Sequence, residues 1–302
     1  MITSTALPNS LPPSMPYFRV YRPKQLRDVV DAIWDWDIAD GEAARALTIH
    51  QAPSTPLLLM APYRAPIDLR QNGFALPAKC ATQIRDAPVV LRPTGPLGMI
   101  LVSLRPDAAG RIVGAPLGDF ANANLSLPDL FGQDEAARCS ELLATVRTSA
   151  ERVGTVVTFL LRRLRPPMDT IANGAAARLR RDPTLQMRTL AAALGISSRH
   201  LGRTFQTVFA MSPKYFARLA RVEQIILQRQ RGLAWAEIAY ACGMADQAHL
   251  VREFAALVGE RPSDFFTRSG SWAPDVPSCS HFVVRPVTGE VRKLQSTSAA
   301  SG

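Results

Sequence analysis

Two short segments carry side chains able to grip a polyanion and read the edges of its bases. In "SRHLGRTFQ", Ser198 is followed by Arg199, Gly202, Arg203 and Gln206, the last four at i, i+3, i+4 and i+7. On a helix this spacing sets them along one side. A guanidinium fork matches guanine O6 and N7 or a phosphate, and a glutamine amide matches adenine N6 and N7. In "QAHLVREFA", Arg252 recurs at the point held by Arg203 in the first segment. His200 and His249 each precede a leucine of the inner face, Leu201 and Leu250. That position favours packing or a backbone role, but His249 stays among the candidate contacts.

The elements that must present these side chains are written twice. "LAAALGISSRHLGRTF" and "IAYACGMADQAHLVREF" share an alanine-rich apolar run, a Gly, an apolar residue, a polar patch and Leu-x-Arg-x-Phe. In the first, Leu185, Leu190, Ala191 and Leu194 form an inner face, Gly195 supplies a sharp turn, and Ser197 or Ser198 caps a new helix. There Leu201, Phe205 and Val208 point inward, opposite the basic stripe. In the second, Ile238, Ala239 and Cys242 face inward, Gly243 turns, Met244 fills the corner and Asp246 caps, ahead of Leu250 and Phe254. Two short helices at a steep angle, the second carrying a polar outer stripe, make a helix-turn-helix. The spacing predicts one amphipathic helix over 213–230 between the copies, ended by Gly232. At ~1.5 Å per residue it spans about 27 Å, which suits two recognition helices about 34 Å apart on successive major grooves. Trp235 reads as a core staple.

Upstream lies a domain read at 17–165, which up to about Leu130 alternates short apolar runs with Pro and Gly, as in "PLLLMAP" and "LGMILVSLRP". The pattern predicts an antiparallel β-rich domain, a small cupin-like barrel, with turns near Gly73 and at 93–95. A short helix follows Pro106. From 134 to 164 the period becomes helical, and Thr148 with Glu151 is a cap signal that divides two helices. Their apolar stripe packs on the barrel or forms a dimer seam. "RRLRPP" ends the second helix and marks the domain boundary, so 168–268 is read as the DNA-binding domain. Residues 1–16 read as a disordered leader and 269–302 as a flexible tail, in which "HFVVRPV" could add a strand. The expected fold class is α+β, with an all-α C-terminal domain. Trp34 and Trp36 share one face of a strand and are candidate effector-binding residues, against a plain core role.

The rest of the sequence narrows the function. Net charge is +10 over 302 residues. The excess is densest at 169–268, which holds 14 basic and 8 acidic residues, all but one of the basic ones arginine. A surplus of that kind points to nucleic acid. No apolar run is long enough for a membrane span, and the N-terminus lacks a secretory pattern, so no membrane partner is expected and the location is read as cytoplasmic. Cys80, Cys139, Cys242 and Cys279 form no C-x-x-C pair, and the histidines have no zinc spacing. Asp28, Asp31, Asp35, Asp37 and Asp40 follow no calcium loop and read as a solvated acidic edge. No catalytic triad or phosphate cradle is present. No metal, cofactor or enzymatic activity is expected.

The segment from Arg178 to Phe266 resembles the DNA-binding domain of the AraC/XylS family of bacterial transcription regulators. The resemblance is carried by the paired units, the "MSPKYFARLARVEQ" connector and the closing "GERPSDFF". More loosely, "YRPKQLRDVVDAIWDWD" and "LGMILVSLRPDAAGRIVGAPLGDFANANLSLPDLF" are similar to an uncharacterised barrel-like sensor domain that precedes this module in some members. The resemblance implies transcription control, with double-stranded DNA as partner and an effector-binding or dimerisation role for the barrel. It implies groove-facing positions at Ser198, Arg199, Gly202, Arg203 and Gln206 in the first unit and at Gln247, Ala248, Val251, Arg252 and Ala255 in the second. In the second set only Gln247 and Arg252 can bond base edges or phosphates, while Ala248 and Val251 can at most meet thymine methyls. The first unit is therefore expected to discriminate bases and the second mainly to anchor. Transcription control adds RNA polymerase to the candidate partners, beside a small-molecule effector and a second copy of the chain. The alternatives are a constitutive DNA-binding dimer without effector, and an enzyme domain targeted to DNA.

Overall fold

Strand Val30–Ile38 shows why the N-terminal half folds in layers. Ala32, Trp34, Trp36 and Ile38 on one face and Ile33 on the other are all buried, so both faces of the strand are covered. Strand Leu97–Leu104 beside it is buried at every residue. A strand packed on two sides loses polar alternation and reads as a continuous apolar run.

The computed structural model describes residues 18–71, 73–77, 80–82, 88–120, 125–167, 170–267 and 282–286. In chain order the N-terminal strands are β1 (Phe18–Tyr21), β2 (Val30–Ile38), β3 (Leu47–Gln51), β4 (Leu57–Pro62), β5 (Ile67–Gln71), β6 (Phe74–Leu76), β7 (Cys80–Thr82), β8 (Val89–Pro93), β9 (Leu97–Leu104) and β10 (Leu125–Ser126). Helix α1 (Gly41–Arg45) follows β2, and α2 (Gly110–Val113), α3 (Leu127–Phe131), α4 (Gln133–Thr145) and α5 (Ser149–Arg163) come after β9. The C-terminal helices are α6 (Ile171–Arg181), α7 (Met187–Ala193), α8 (Ser198–Phe209), α9 (Pro213–Gln230), α10 (Trp235–Ala241), α11 (Gln247–Val258) and α12 (Pro262–Thr267). Strand β11 (Phe282–Pro286) closes the described chain.

The class is α+β, as expected. The strands form two antiparallel sheets, ordered β1-β2-β9-β4-β7-β10 and β11-β3-β8-β5-β6, and do not close into one barrel among the described residues. The break is physical: β4 and β8 each pair within their own sheet, and the sheets meet through side chains. Trp34, Trp36, Leu58, Met60, Leu69, Leu91, Met99 and Leu101 make that inter-sheet core. Trp34 and Trp36, the candidate effector residues, are each 3% exposed in it, and the ring of Trp36 meets Phe18 edge-on at 5.2 Å. The leader at 1–16 lies outside the described residues, as does the tail save β11. That strand runs antiparallel to β3, Val284 opposite Ile49, so this stretch of the tail joins the N-terminal sheet.

Asp28 and Asp40 are exposed, as expected of a solvated acidic edge, but Asp31, Asp35 and Asp37 between them are not. Asp35 is 1% exposed and accepts from Arg152 Nη2 at 2.8 Å and from the Tyr63 hydroxyl at 2.6 Å. Asp37 takes a second bond from Arg152 at 2.7 Å, Asp31 pairs with Arg180, and Asp40 caps α1. Alternation on β2 explains this: the odd positions face helices that bring arginines. Burial and the Asp35 acceptor together raise the Tyr63 hydroxyl well above its ordinary pKa, so it stays a donor. The network fixes α5 to β2, and the Thr148–Glu151 capping box starts the helix where the sequence placed it. Leu142 and Leu161, on the α4 and α5 faces turned away from the core, are 47% and 40% exposed.

The main core does not stop at Pro166 and Pro167. Ile33, Val102, Val157 and Leu160 belong to one apolar cluster with Leu179, Phe205, Phe216 and Phe254. Three polar or close contacts stitch this seam. Arg180 Nη2 bonds Asp31 Oδ2 at 2.7 Å. The buried Glu223 on α9 accepts the backbone N–H of Thr55. Gly118 lies so close to the end of α8 that a Cβ there would sit 2.6 Å from the Thr207 carbonyl oxygen.

Candidate nucleic-acid interface

The repeated sentence in the sequence is a repeated structure, bond for bond. Helix α7 ends with Gly195 at φ +68°, and α10 ends before Gly243 at φ +65°. The next N–H reaches back five residues in each copy, Ile196 to Ala191 O at 3.1 Å and Met244 to Ala239 O at 2.9 Å. This is the six-to-one closure of a Schellman turn, and its left-handed residue is why glycine stands there. The Ser197 hydroxyl then accepts His200 N–H at 3.2 Å and Asp246 Oδ1 accepts His249 N–H at 2.6 Å. Both histidines thus serve as backbone donors to the caps. Leu201 stands six residues after Gly195 and Leu250 seven after Gly243, but the extra residue of the second turn is taken up before the cap, so both leucines stand four residues after their caps.

Burial sorts the two helices into inner and outer faces. On α8, Leu201, Phe205 and Phe209 are buried. Val208 is half-buried against the core as expected, and Phe209 beside it is buried and meets Phe216 at 5.6 Å. Ser198, Arg199, Arg203 and Gln206 are exposed, and a Cβ at Gly202 would meet nothing within 4 Å. Helix α8 therefore offers an open polar face, with no ion pair to Arg199 or Arg203 among the described residues. Arg203 Nη2 lies 3.3 Å from His200 Nδ1, which ties the histidine to the arginine stripe. On α11, Leu250, Phe254, Leu257 and Val258 are buried. Gln247, Ala248 and Arg252 are exposed, while Val251, Ala255 and His249 are half-buried.

The strut between the units has the extent read from the sequence. Ser212 caps α9 through Tyr215 N–H, Pro213 opens it, and Gly232 follows its end at φ +87°. A clamp missed in the sequence fixes α11 on this strut: Arg218 Nε bonds Glu253 Oε1 at 2.7 Å. The only sequence signal was a charge at Glu253 where the first copy has Thr204. Hydrogen bonding to Glu253 raises the Arg218 pKa further. Arg221 also bonds the Pro183 carbonyl at 3.1 Å. Trp235 packs under Arg229 at 4.8 Å and edge-on to Phe266 at 5.6 Å. Burial pushes the Cys242 thiol up to about 11, so it is a packing group and not a thiolate. No cluster of metal-ligating side chains occurs among the described residues, and none of their helices is long and apolar enough to cross a membrane.

Comparison with known proteins agrees with this geometry. A family model described as a helix-turn-helix domain matches residues 190–268. Residues 190–268 of the chain are thus a helix-turn-helix region of the AraC type. No curated protein matches the chain. Among solved structures, ToxT from Vibrio cholerae is 10% identical with TM-score 0.44, covering 83% of this chain and 98% of that one. A DNA-binding transcriptional dual regulator from Escherichia coli K-12 is 15% identical with TM-score 0.31, over 34% and 96%. The AraC-like transcriptional activator CuxR is 16% identical with TM-score 0.24, over 63% and 80%. All three scores lie below 0.5, so the assignment rests on the helix-turn-helix match and the paired geometry.

Proposed function

We propose that the protein is a sequence-specific regulator of transcription. Its α8 face reads bases through Arg199, Arg203 and Gln206, with Ser198 at the helix start, and its α11 face anchors through Gln247 and Arg252. The observation that carries this reading is the recurrence of an exposed arginine, Arg203 and Arg252, at the same place in two units with the same turn and cap. Arginines and helix N-termini hold phosphates, so affinity falls steeply with salt. His249, whose N–H is spent on Asp246, contributes at most its ring. The N-terminal β-rich part, 17–165, is the controlling domain and 168–268 the DNA-binding one, in the cytoplasm. The exposed Leu142 and Leu161 favour pairing of two copies through the α4–α5 face. RNA polymerase is the further partner that transcription control requires. Control by a small molecule follows if that molecule prefers one arrangement of the two units. The protein has no enzymatic role in this account.

Selection of bound sequences from random duplex DNA tests the reading. The wild type should enrich a defined site, Arg203→Ala should relax preference at one position, and Arg252→Ala should weaken all sites alike. Absence of enrichment, or a larger loss of preference from Arg252→Ala, would overturn it.

A further inference from the structure

Strand β11 stands at the outer edge of the sheet β11-β3-β8-β5-β6, with β3 as its one neighbour among the described strands. The register sets Phe282, Val284 and Pro286 opposite Gln51, Ile49 and Leu47, and Val283 and Arg285 opposite His50 and Thr48. On β3, Ile49 and Gln51 are buried while Thr48 and His50 are half-buried, and Ile49 belongs to the inter-sheet core. Apolar positions of the tail therefore coincide with the inner positions of β3, and its one charged position with an outer one. Pro286 has no N–H and stands at the end of the ladder, where it costs no bond. Upstream of the strand, α12 is packed on the second helix-turn-helix unit. Phe265 meets Phe254 at 5.4 Å and Phe266 meets Trp235 at 5.6 Å. The stretch 268–281 thus joins that unit to the N-terminal sheet, apart from the connection that leads from α5 into α6.

We propose that the edge of β3 is a strand-accepting site and that the chain's own segment Phe282–Pro286 is its detachable occupant. An extended segment added to a sheet edge draws affinity from main-chain bonds and selectivity from alternate positions. Both features are present in this register. A short strand with a single neighbour is held weakly by itself. The tether makes docking intramolecular, at an effective concentration on the order of millimolar, so the strap is seated at rest and still able to leave. Docked, it closes a ladder that β3 would otherwise leave open to other chains. It also limits how far the second unit can move from the N-terminal sheet. Undocked, that unit is held through α9, where Arg218 clamps Glu253. The restraint matters for DNA only under the regulator reading; docking of the strand does not depend on it.

Amide hydrogen exchange of the full-length chain without DNA, read over Leu47–Gln51, tests the docking. The alternate β3 amides that point at β11 should exchange at least about tenfold faster in Val284→Pro, which removes an N–H from the middle of the strand. Thr288→Pro, beyond the strand, should exchange as the wild type does. A synthetic peptide of residues 280–288 at millimolar concentration should restore slow exchange in Val284→Pro and leave the wild type unchanged. Equal exchange in the wild type and Val284→Pro, or no restoration by the peptide, would overturn the proposal. So would wild-type protection that fades on dilution, the behaviour of a strand supplied by a second copy. Because DNA is absent, these results stand whether or not the chain recognises a duplex.

Discussion

Arg203 and Arg252 occupy one position in two copies of a unit but stand in different company. Arg203 has Arg199 and Gln206 on the same exposed face, whereas Arg252 has Ala248, Val251 and Ala255. Losing a bidentate arginine–base contact costs about 1–3 kcal/mol, so Arg203→Ala is expected to lose that much at one base position, measured by fluorescence anisotropy on matched and mismatched duplexes. Ala210 shows a second asymmetry between the copies. It caps α8 in the left-handed region at φ +48°, where the second copy has Gly259 at φ +83°. A side chain in that conformation costs about 1 kcal/mol, so Ala210→Gly is expected to raise unfolding free energy by up to that amount in a denaturant titration. Glu223 gives a pH signature. Its carboxyl is raised by burial, against the pull of Arg180 and Thr55. A raised acid favours the folded state while protonated, and that contribution fades as pH climbs through the folded value. Glu223→Gln should therefore melt higher than the wild type at pH 8, with the gap closing toward pH 4.5, the ordinary carboxyl value. An equal gap at both pH values would show that Glu223 is charged throughout.

At the scale of elements, the helices were the legible part. Pro213, the Ser212 cap and Gly232 delimit α9 because each acts locally, on one turn of backbone. Thr148 and Glu151 separate α4 from α5 in the same way. The strands near "LTIH" and "LGMILVSL" were legible as strands, but their arrangement in two sheets was not, since partner choice depends on contacts far apart in the chain. The acidic run on β2 misled for a related reason: Asp35 is buried only because Arg152, 117 residues later, comes to meet it. Removing that arginine leaves a buried charge, which costs about 3–5 kcal/mol. Arg152→Met is expected to lose a sum of this order in chemical denaturation, with Asp35→Asn in the same background recovering part of it. Gly118 was equally silent. Its role exists only where the N-terminal half touches α8, and a Cβ would press the Thr207 carbonyl at 2.6 Å. Overpacking of this kind costs about 1–3 kcal/mol, so Gly118→Ala should lower the melting temperature in calorimetry, where Gly202→Ala should not.

Across the whole molecule, the seam between the halves is the structural fact with most bearing on control. The apolar cluster runs from Ile33 to Phe254 without a break, and Asp31–Arg180 and Thr55–Glu223 cross it. The first unit is held by α6 and by the turn at Gly118, the second by α9 through Arg218 and Glu253. An event at the N-terminal half thus has a short mechanical route to α8, and a longer one, along the strut, to α11. Hydroxyl-radical footprinting on the selected duplex tests most directly whether both faces meet DNA together. Two protected patches on one side of the helix, one turn or about 10 base pairs apart, are expected, with the patch under α8 lost in the Arg199→Ala, Arg203→Ala double variant. A single patch, or two patches that survive that variant unchanged, would contradict the account.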